Sequence, residues 1–180
     1  MKTSFSSEPV FTIGHSTLPI DQFTSVLGAY GVSQLCDVRT IPRSRHNPQF
    51  NAEALATSLP GAGVDYVPMP GLGGLRHPRT DSVNGGWRNK SFRGYADYMG
   101  TPQFREALAE LVDLSAEHRT AIMCAEAVPW RCHRSLIADA LTVRGVQVVE
   151  ILSESNWRTH ELTPFAHVVG ETITYPPSSA

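Results

Sequence analysis

The chain has 180 residues, 41% of them hydrophobic, and a formal net charge of -2, which is enough apolar material for one buried core and fits one domain better than two. No uncharged stretch approaches the ~20 residues of a membrane span, and no apolar run stands behind the lysine of MKTSFSSEPV; a soluble, unexported, cytoplasmic protein without a membrane partner is expected. Cys36, Cys124 and Cys132 make an odd count in a chain with ample core, which argues against a disulfide framework and for reduced thiols.

Five β-rich apolar runs follow in chain order, each bounded by turn signals: VFTIG (10–14), SQLCDV (33–38), VDYVPM (64–69), TAIMCAE (120–126) and VQVVEIL (146–152). They are nearly continuous in hydrophobicity, as strands covered on both faces are. Helical patterns lie between them. Pro19 to Tyr30 starts behind Ser16 and Thr17 as possible caps and puts Ile20, Phe23, Val26 and Leu27 on one face. Gln49 to Leu59 is a weaker helix, and Gly94–Met99 with Pro102–Ala116 makes an interrupted one. His133 to Val143 gathers Leu136, Ile137, Ala140 and Leu141 before Gly145. Strand and helix in alternation predict one α/β domain over residues 1–180, with a mainly parallel, Rossmann-like or flavodoxin-like sheet flanked by helices. Residues 1–9 and 176–180 are expected to fray.

The polar ornament is segregated. GHST, DVRTIPRSRHNPQF, the long PGLGGLRHPRTDSVNGGWRNKSFRGY, CAEAVPWRCHRS and SESNWRTH each follow a predicted strand, whereas YGVS, PGAGV, EHRT and RGVQ on the opposite side are short and plain. In such sheets ligands bind beyond the carboxyl ends of the strands. The long third segment is therefore expected to be a binding loop or lid. Residues 39–93 also carry eight basic against three acidic side chains, while 94–180 carry six against eleven, and arginine outnumbers lysine 13 to 2. That bias suits bidentate capture of phosphate or carboxylate.

Cys124 leaves a strand ahead of a helix, as nucleophilic thiols in phosphate loops do. AEAVPW, however, has no glycine and loses an N–H at Pro129, so it makes a poor anion cradle, and a thiol packed at a strand end is the expectation for Cys124. Cys132, near a helix start behind Pro129 and Trp130, is either a thiol with lowered pKa or a small side chain in the first turn. Cys124, Cys132, His133, His15 and His160 lack the paired spacings of structural zinc; no cofactor is expected, and a divalent metal assembled from separate loops stays open. Glu126, His133 and Arg134 form the better constellation for proton transfer, with Glu126 as general base or acid and His133 or His15 assisting. A structural Glu126 to Arg134 pair is the plainer alternative. Asp37 and Arg39 stand at the second strand's end in the same way. Trp87-Arg88, Trp130-Arg131, Trp157-Arg158 and Phe92-Arg93 repeat an aromatic-arginine pair that offers a flat face and an anion partner to a nucleobase, or else closes loops on the core; Tyr95 belongs to the same segment.

TIGHST, DVRTIPRSRHNPQF, NGGWRNKSFRGYADYM and CAEAVPWRCHRSLIADAL together resemble the signature blocks of domain-of-unknown-function family 488 (DUF488), widespread in prokaryotes, over about residues 11–153. The resemblance implies a compact α/β fold and a polar site built from His15, Ser16, Asp37, Arg39, Cys124, Glu126, Cys132, His133 and Arg134. It implies no settled reaction.

The functional expectation is an enzyme acting by hydrolysis or group transfer on a phosphate-bearing partner, most plausibly a nucleotide or nucleic acid. Arg39, Arg43 and Arg134 would grip anions, and Trp87, Arg88, Arg93, Tyr95, Trp130 and Arg131 would help clasp the remainder. A non-catalytic binding module on the same rim, and a thiol or metal protein centred on Cys124 and Cys132, are the alternatives.

Overall fold

In the computed structural model, which describes residues 8–178, the strands are β1 (Val10–Gly14), β2 (Gln34–Asp37), β3 (Asp65–Pro68), β4 (Thr120–Cys124), β5 (Val148–Ile151), β6 (Trp157–Thr159), β7 (His167–Val169) and β8 (Thr172–Thr174). The helices are α1 (Ile20–Ala29), α2 (Ala52–Ser58), α3 (Lys90–Met99), α4 (Pro102–Glu117) and α5 (Arg134–Val143). The first six strands form one sheet in the order β3-β2-β4-β1-β5-β6, parallel except for β6, and β7 and β8 make a separate hairpin.

The buried runs decide this arrangement. β2, β4 and β5 are buried along their whole length and β1 up to Gly14, whereas β3 at one edge and β6 at the other are partly or wholly exposed. The pleat sends alternate side chains to opposite faces. Phe11, Ile13, Leu35, Ala121 and Met123 accordingly pack on Phe23, Val26 and Leu27 of α1 and Leu55 of α2. Val10, Cys36, Ile122 and Cys124 pack on Tyr95 of α3, Leu108 of α4 and Leu136 of α5. Each fully buried Leu or Phe contributes about 1.5–3 kcal/mol, so the two-sided core carries the one α/β domain that the strand-helix alternation predicts.

Three local features differ from the sequence expectation. Neither Ser16 nor Thr17 caps α1, which starts behind Pro19 without a side-chain cap. Ser16 instead lies in a left-handed turn (φ 49°) with its N–H on the Ala125 carbonyl at 3.0 Å, extending the β1 to β4 ladder beyond the strand ends. Helix α3 begins four residues before Gly94, because the Asn89 side chain accepts from the N–H groups of Ser91 and Phe92 and nucleates a turn there. The second half of SESNWRTH is strand, not loop: Arg158 pairs with the buried Glu150 across the β5–β6 register and holds a short edge strand in place.

At the amino-terminal end, Glu8 pairs with Arg119 and Pro9 is buried. Of the other residues expected to fray, 176–178 are exposed and outside any helix or strand, and 1–7 and 179–180 lie outside the described residues. Among the described residues no helix is long and apolar enough to cross a membrane.

Candidate active site

Strand order makes the site. With β4 between β2 and β1, the carboxyl ends of the three central strands are adjacent, so Asp37-Val38-Arg39, Cys124-Ala125-Glu126 and Gly14-His15 emerge side by side. His15 N–H bonds to the Cys124 carbonyl at 2.9 Å, and Val38 N–H to that of Met123 at 3.1 Å. The approach is so close that a Cβ on Gly14 would meet the Glu126 carbonyl oxygen at 1.8 Å, so only glycine fits.

A cavity of about 520 Å³ opens above these ends, lined by His15, Arg39, Cys124, Glu126, Cys132 and His133 among others. Its floor is a pair of thiols. Cys132 points its S–H at the Cys124 sulfur across 2.7 Å. Arg134, wholly buried at the start of α5, donates Nε–H to the same sulfur at 3.0 Å and its other N–H groups to Thr12 Oγ1 and the carbonyls of Glu126 and Ala127. Among the described residues no carboxylate pairs with it. A permanently charged, buried guanidinium needs an anion, and the Cys124 sulfur is the group positioned to be one. Burial opposes ionisation of Cys124, but the Cys132 S–H, the Arg134 charge and a backbone hydrogen bond at Glu126 outweigh it, lowering this thiol to about 7. Cys132 moves the other way: its hydrogen bond to Cys124, then burial, raises its pKa. The helix-start effect expected to activate Cys132 is overridden by the anion beside it.

His133 caps the pair. Its Nε2–H donates to the Val38 carbonyl at 2.8 Å, which leaves Nδ1 as an acceptor 3.4 Å from the Cys132 sulfur. Burial holds this imidazole down to about 4, so it is neutral at pH 7.

Asp37 and Arg39 serve a different purpose from the one expected. Asp37, 1% exposed, accepts from Arg39 Nε, Nη2 and backbone N–H and from the Tyr66 hydroxyl at 2.6 Å. Its lone pairs are spent on structure, and it does not line the cavity. Arg39 is held by Asp37 and the Phe50 carbonyl, with one N–H 3.4 Å from His15 Nε2. His15 donates Nδ1–H to the Ser16 carbonyl, stacks on Phe50 at 4.2 Å and is kept neutral by burial, so its Nε2 is left as an acceptor beside the Arg39 N–H at the edge of the cavity.

The remaining expected residues divide. Arg43 and Arg131 are exposed on the rim of the cavity, and the Glu126 carboxylate joins them while its backbone carbonyl, rather than its side chain, holds Arg134. The expected gripping role of Arg134 is corrected by its burial, because its N–H groups are committed inside the protein. Tyr95 lines the wall but gives its hydroxyl to the Leu72 carbonyl. Ser16 faces another cavity with Leu18 and Gln22. Trp87 packs on Phe92, Phe165 and Tyr175, and Arg93 fastens the Trp87 carbonyl, which is loop closure on the core. Trp130 is covered by Arg158 at 4.8 Å and, with Trp87, lines a separate, larger cavity of about 640 Å³; Arg88 is exposed. Sequence reasoning missed Tyr66, Thr12 and Phe50, which support the site from a strand or helix-like turn without any local signal. It also missed Ile41 and Leu75, whose exposure beside arginine and glycine at the mouth was a readable one. Among the described residues no three His, Cys, Asp or Glu side chains converge on a metal position.

The family model described as "Domain of unknown function DUF488" matches residues 19–141, more than half of the chain. The chain belongs to the DUF488 family. The match includes Asp37, Arg39, Cys124, Glu126, Cys132, His133 and Arg134 of the site, and begins after His15. No curated protein and no solved structure matches this DUF488 chain, so the geometry of its pocket is what speaks to function.

Proposed function

We propose that this DUF488 protein is a thiol-dependent enzyme in which the Cys124 thiolate attacks an electrophilic centre of a substrate bearing a phosphate or similar anion. The observation that carries the reading is Arg134: a fully buried cation that donates to the Cys124 sulfur and, among the described residues, pairs with no carboxylate. An ionised thiol at physiological pH is the reactive form, and it lies at the floor of a cavity large enough for a small ligand.

The substrate class follows from the rim. Arg43 and Arg131 are exposed to meet an anion, and the start of α3, with its capping residue Asn89 and Ser91 of its first turn, lines the same cavity. Ile41 and Leu75, 64% and 72% exposed, offer an apolar lip, and Leu75 is held there in a left-handed conformation (φ 58°) that costs a non-glycine residue about 1 kcal/mol or more. Charge beside an apolar surface suits a nucleotide, with its phosphate as handle. The phosphate is not the electrophile, since the loop after Cys124 offers no glycine-rich cradle. In the reaction, the Cys124 sulfur forms a bond to the transferred group, the leaving group departs with its electron pair, and Glu126 or His15 manages the proton before water or an acceptor releases the group.

Alkylation by iodoacetamide as a function of pH tests the reading. Cys124 should be modified with an inflection near 7, and a panel of nucleotides should protect it. A Cys124 that alkylates only above pH 8.5 sinks the proposal. Protection without turnover of any panel member supports the binding-module alternative instead.

A further inference from the structure

Cys132 lends the Cys124 thiolate a hydrogen bond, and its sulfur is also placed for a second role: it lies 2.7 Å from the Cys124 sulfur, both line the same cavity, and a neutral imidazole stands 3.4 Å from Cys132. Closing to the ~2.05 Å of a covalent S–S bond takes a movement of roughly 0.7 Å, within the reach of side-chain torsions. The third thiol, Cys36, is fully buried in the core and pushed up to about 12 by that burial, so it does not compete.

We infer that Cys124 and Cys132 form a dithiol exchange couple, a second activity of this site, whose substrates are small anionic disulfides. The inference rests on the proposed thiolate at Cys124 and adds a resolving thiol. In the first step the Cys124 sulfur attacks one sulfur of the disulfide R–S–S–R, forming Cys124–S–S–R and expelling RS⁻. In the second, Cys132 gives its proton to His133 Nδ1 and attacks the Cys124 sulfur, closing the Cys124–Cys132 bond and expelling the second RS⁻. The disulfide gains two electrons and the protein loses two, together with the proton of Cys132; an external dithiol returns the pair to its reduced state. Arg43 and Arg131 at the mouth favour a disulfide whose flanking groups are anionic.

The chain also supplies a reason for the arrangement. Once Cys124 is covalently bonded, Arg134 has lost its anion while still buried. The oxidised state is thereby disfavoured, and the couple is set to return to the dithiol.

Glutathione disulfide, a peptide disulfide with four carboxylates, is the probe, and cystamine, which is cationic, is its control. On intact full-length protein at pH 8, mass spectrometry should show loss of two hydrogens, a Cys124–Cys132 peptide pair after digestion, and release of two glutathiones per chain. Cys132→Ser should stop after the first step, with one glutathione retained on Cys124; Cys132→Ala should do the same if the serine variant folds poorly. His133→Ala should accumulate the same adduct before closing slowly. Glutathione disulfide should react at least severalfold faster than cystamine, and Arg43→Gln with Arg131→Gln should erase that preference. A wild-type protein that alkylates at Cys124 with an inflection near 7, but holds a stable glutathione adduct or forms no internal disulfide, overturns this inference and leaves the proposed nucleophile standing. Absence of a low inflection at Cys124 overturns both.

Discussion

The Arg134 guanidinium donates its Nε–H to the Cys124 sulfur across 3.0 Å, from the first turn of α5 to the last residue of β4. The two side chains are coupled: one supplies the charge that the other neutralises. Arg134→Met removes the cation and keeps an apolar side chain in the slot. Its Cys124 alkylation profile is expected to rise from about 7 towards the ordinary thiol value, with little loss of melting temperature, because an unpaired thiol is neutral when buried. Cys124→Ala, by contrast, strands a buried charge and should cost about 3–5 kcal/mol in urea unfolding. Equal losses from the two substitutions would contradict the pairing.

Two ionisable groups should shape stability in opposite directions over one pH range. Cys124 is lowered from 9.0 to about 7 in the folded protein, so its contribution is complete above pH 9 and is lost as pH falls through 7. His160 is buried, which by itself lowers its pKa, but hydrogen bonds at 2.8 Å to Asp139 and Glu150 raise it from 6.5 to about 9; its contribution is complete below pH 6.5 and is lost as pH rises through 9. Between pH 7 and 9, His160→Gln should therefore gain stability with pH more steeply than wild type, and Cys124→Ser should lose it more steeply. Thermal melts at three pH values distinguish these slopes.

Asp37 separates a structural from a catalytic carboxylate. Asp37→Asn leaves Arg39 buried without its ion pair, and a loss of about 3–5 kcal/mol in stability is expected; Tyr66→Phe, which removes one donor among several, should cost about 1 kcal/mol. Chemical denaturation measures both. A fully stable but inactive Asp37→Asn protein would return Asp37 to the reaction.

Glu126 and the rim arginines are exposed, so their substitution tests chemistry with little effect on folding. Glu126→Gln should lower turnover by a factor of 10²–10⁴, the usual range for a positioned acid or base, at unchanged melting temperature. Arg43→Gln and Arg131→Gln should each weaken binding of an anionic substrate and flatten its salt dependence. Unchanged KM in both arginine variants would move the anion site elsewhere.

His133 is held down to about 4 by burial, and it folds uncharged. Its contribution to stability is complete above pH 6.5 and is lost as pH falls through 4, so acid unfolding should be shifted to lower pH in His133→Asn. An unchanged acid midpoint in that variant would mean that His133 is already protonated in the native state.

The element order, the two-sided burial of the sheet and the gathering of polar segments at one edge were legible in the chain, because apolar periodicity and short plain turns are local properties. His15 of GHST, Arg39 of DVR and Cys124, Glu126, Arg131, Cys132 and His133 of CAEAVPWRCHRS came to one cavity for that reason, while Ser16 and Trp130 line others. What each side chain does there was not legible. The sequence shows Arg134 and Glu126 eight residues apart, equally fit for an ion pair; only the fold sends the guanidinium to the Glu126 carbonyl and the Cys124 sulfur and leaves the carboxylate in water. Asp37 reads as a catalyst at a strand end until Tyr66 from the neighbouring strand closes on it. The aromatic-arginine pairs read alike in sequence, yet Trp87 is folded onto Phe92 and Trp130 lies under Arg158. Residue type and spacing determined which edge of the sheet gathers the polar segments. Whether a charged group meets water, a carbonyl or a thiolate depends on neighbours distant in the chain, and that neighbourhood sets protonation and role.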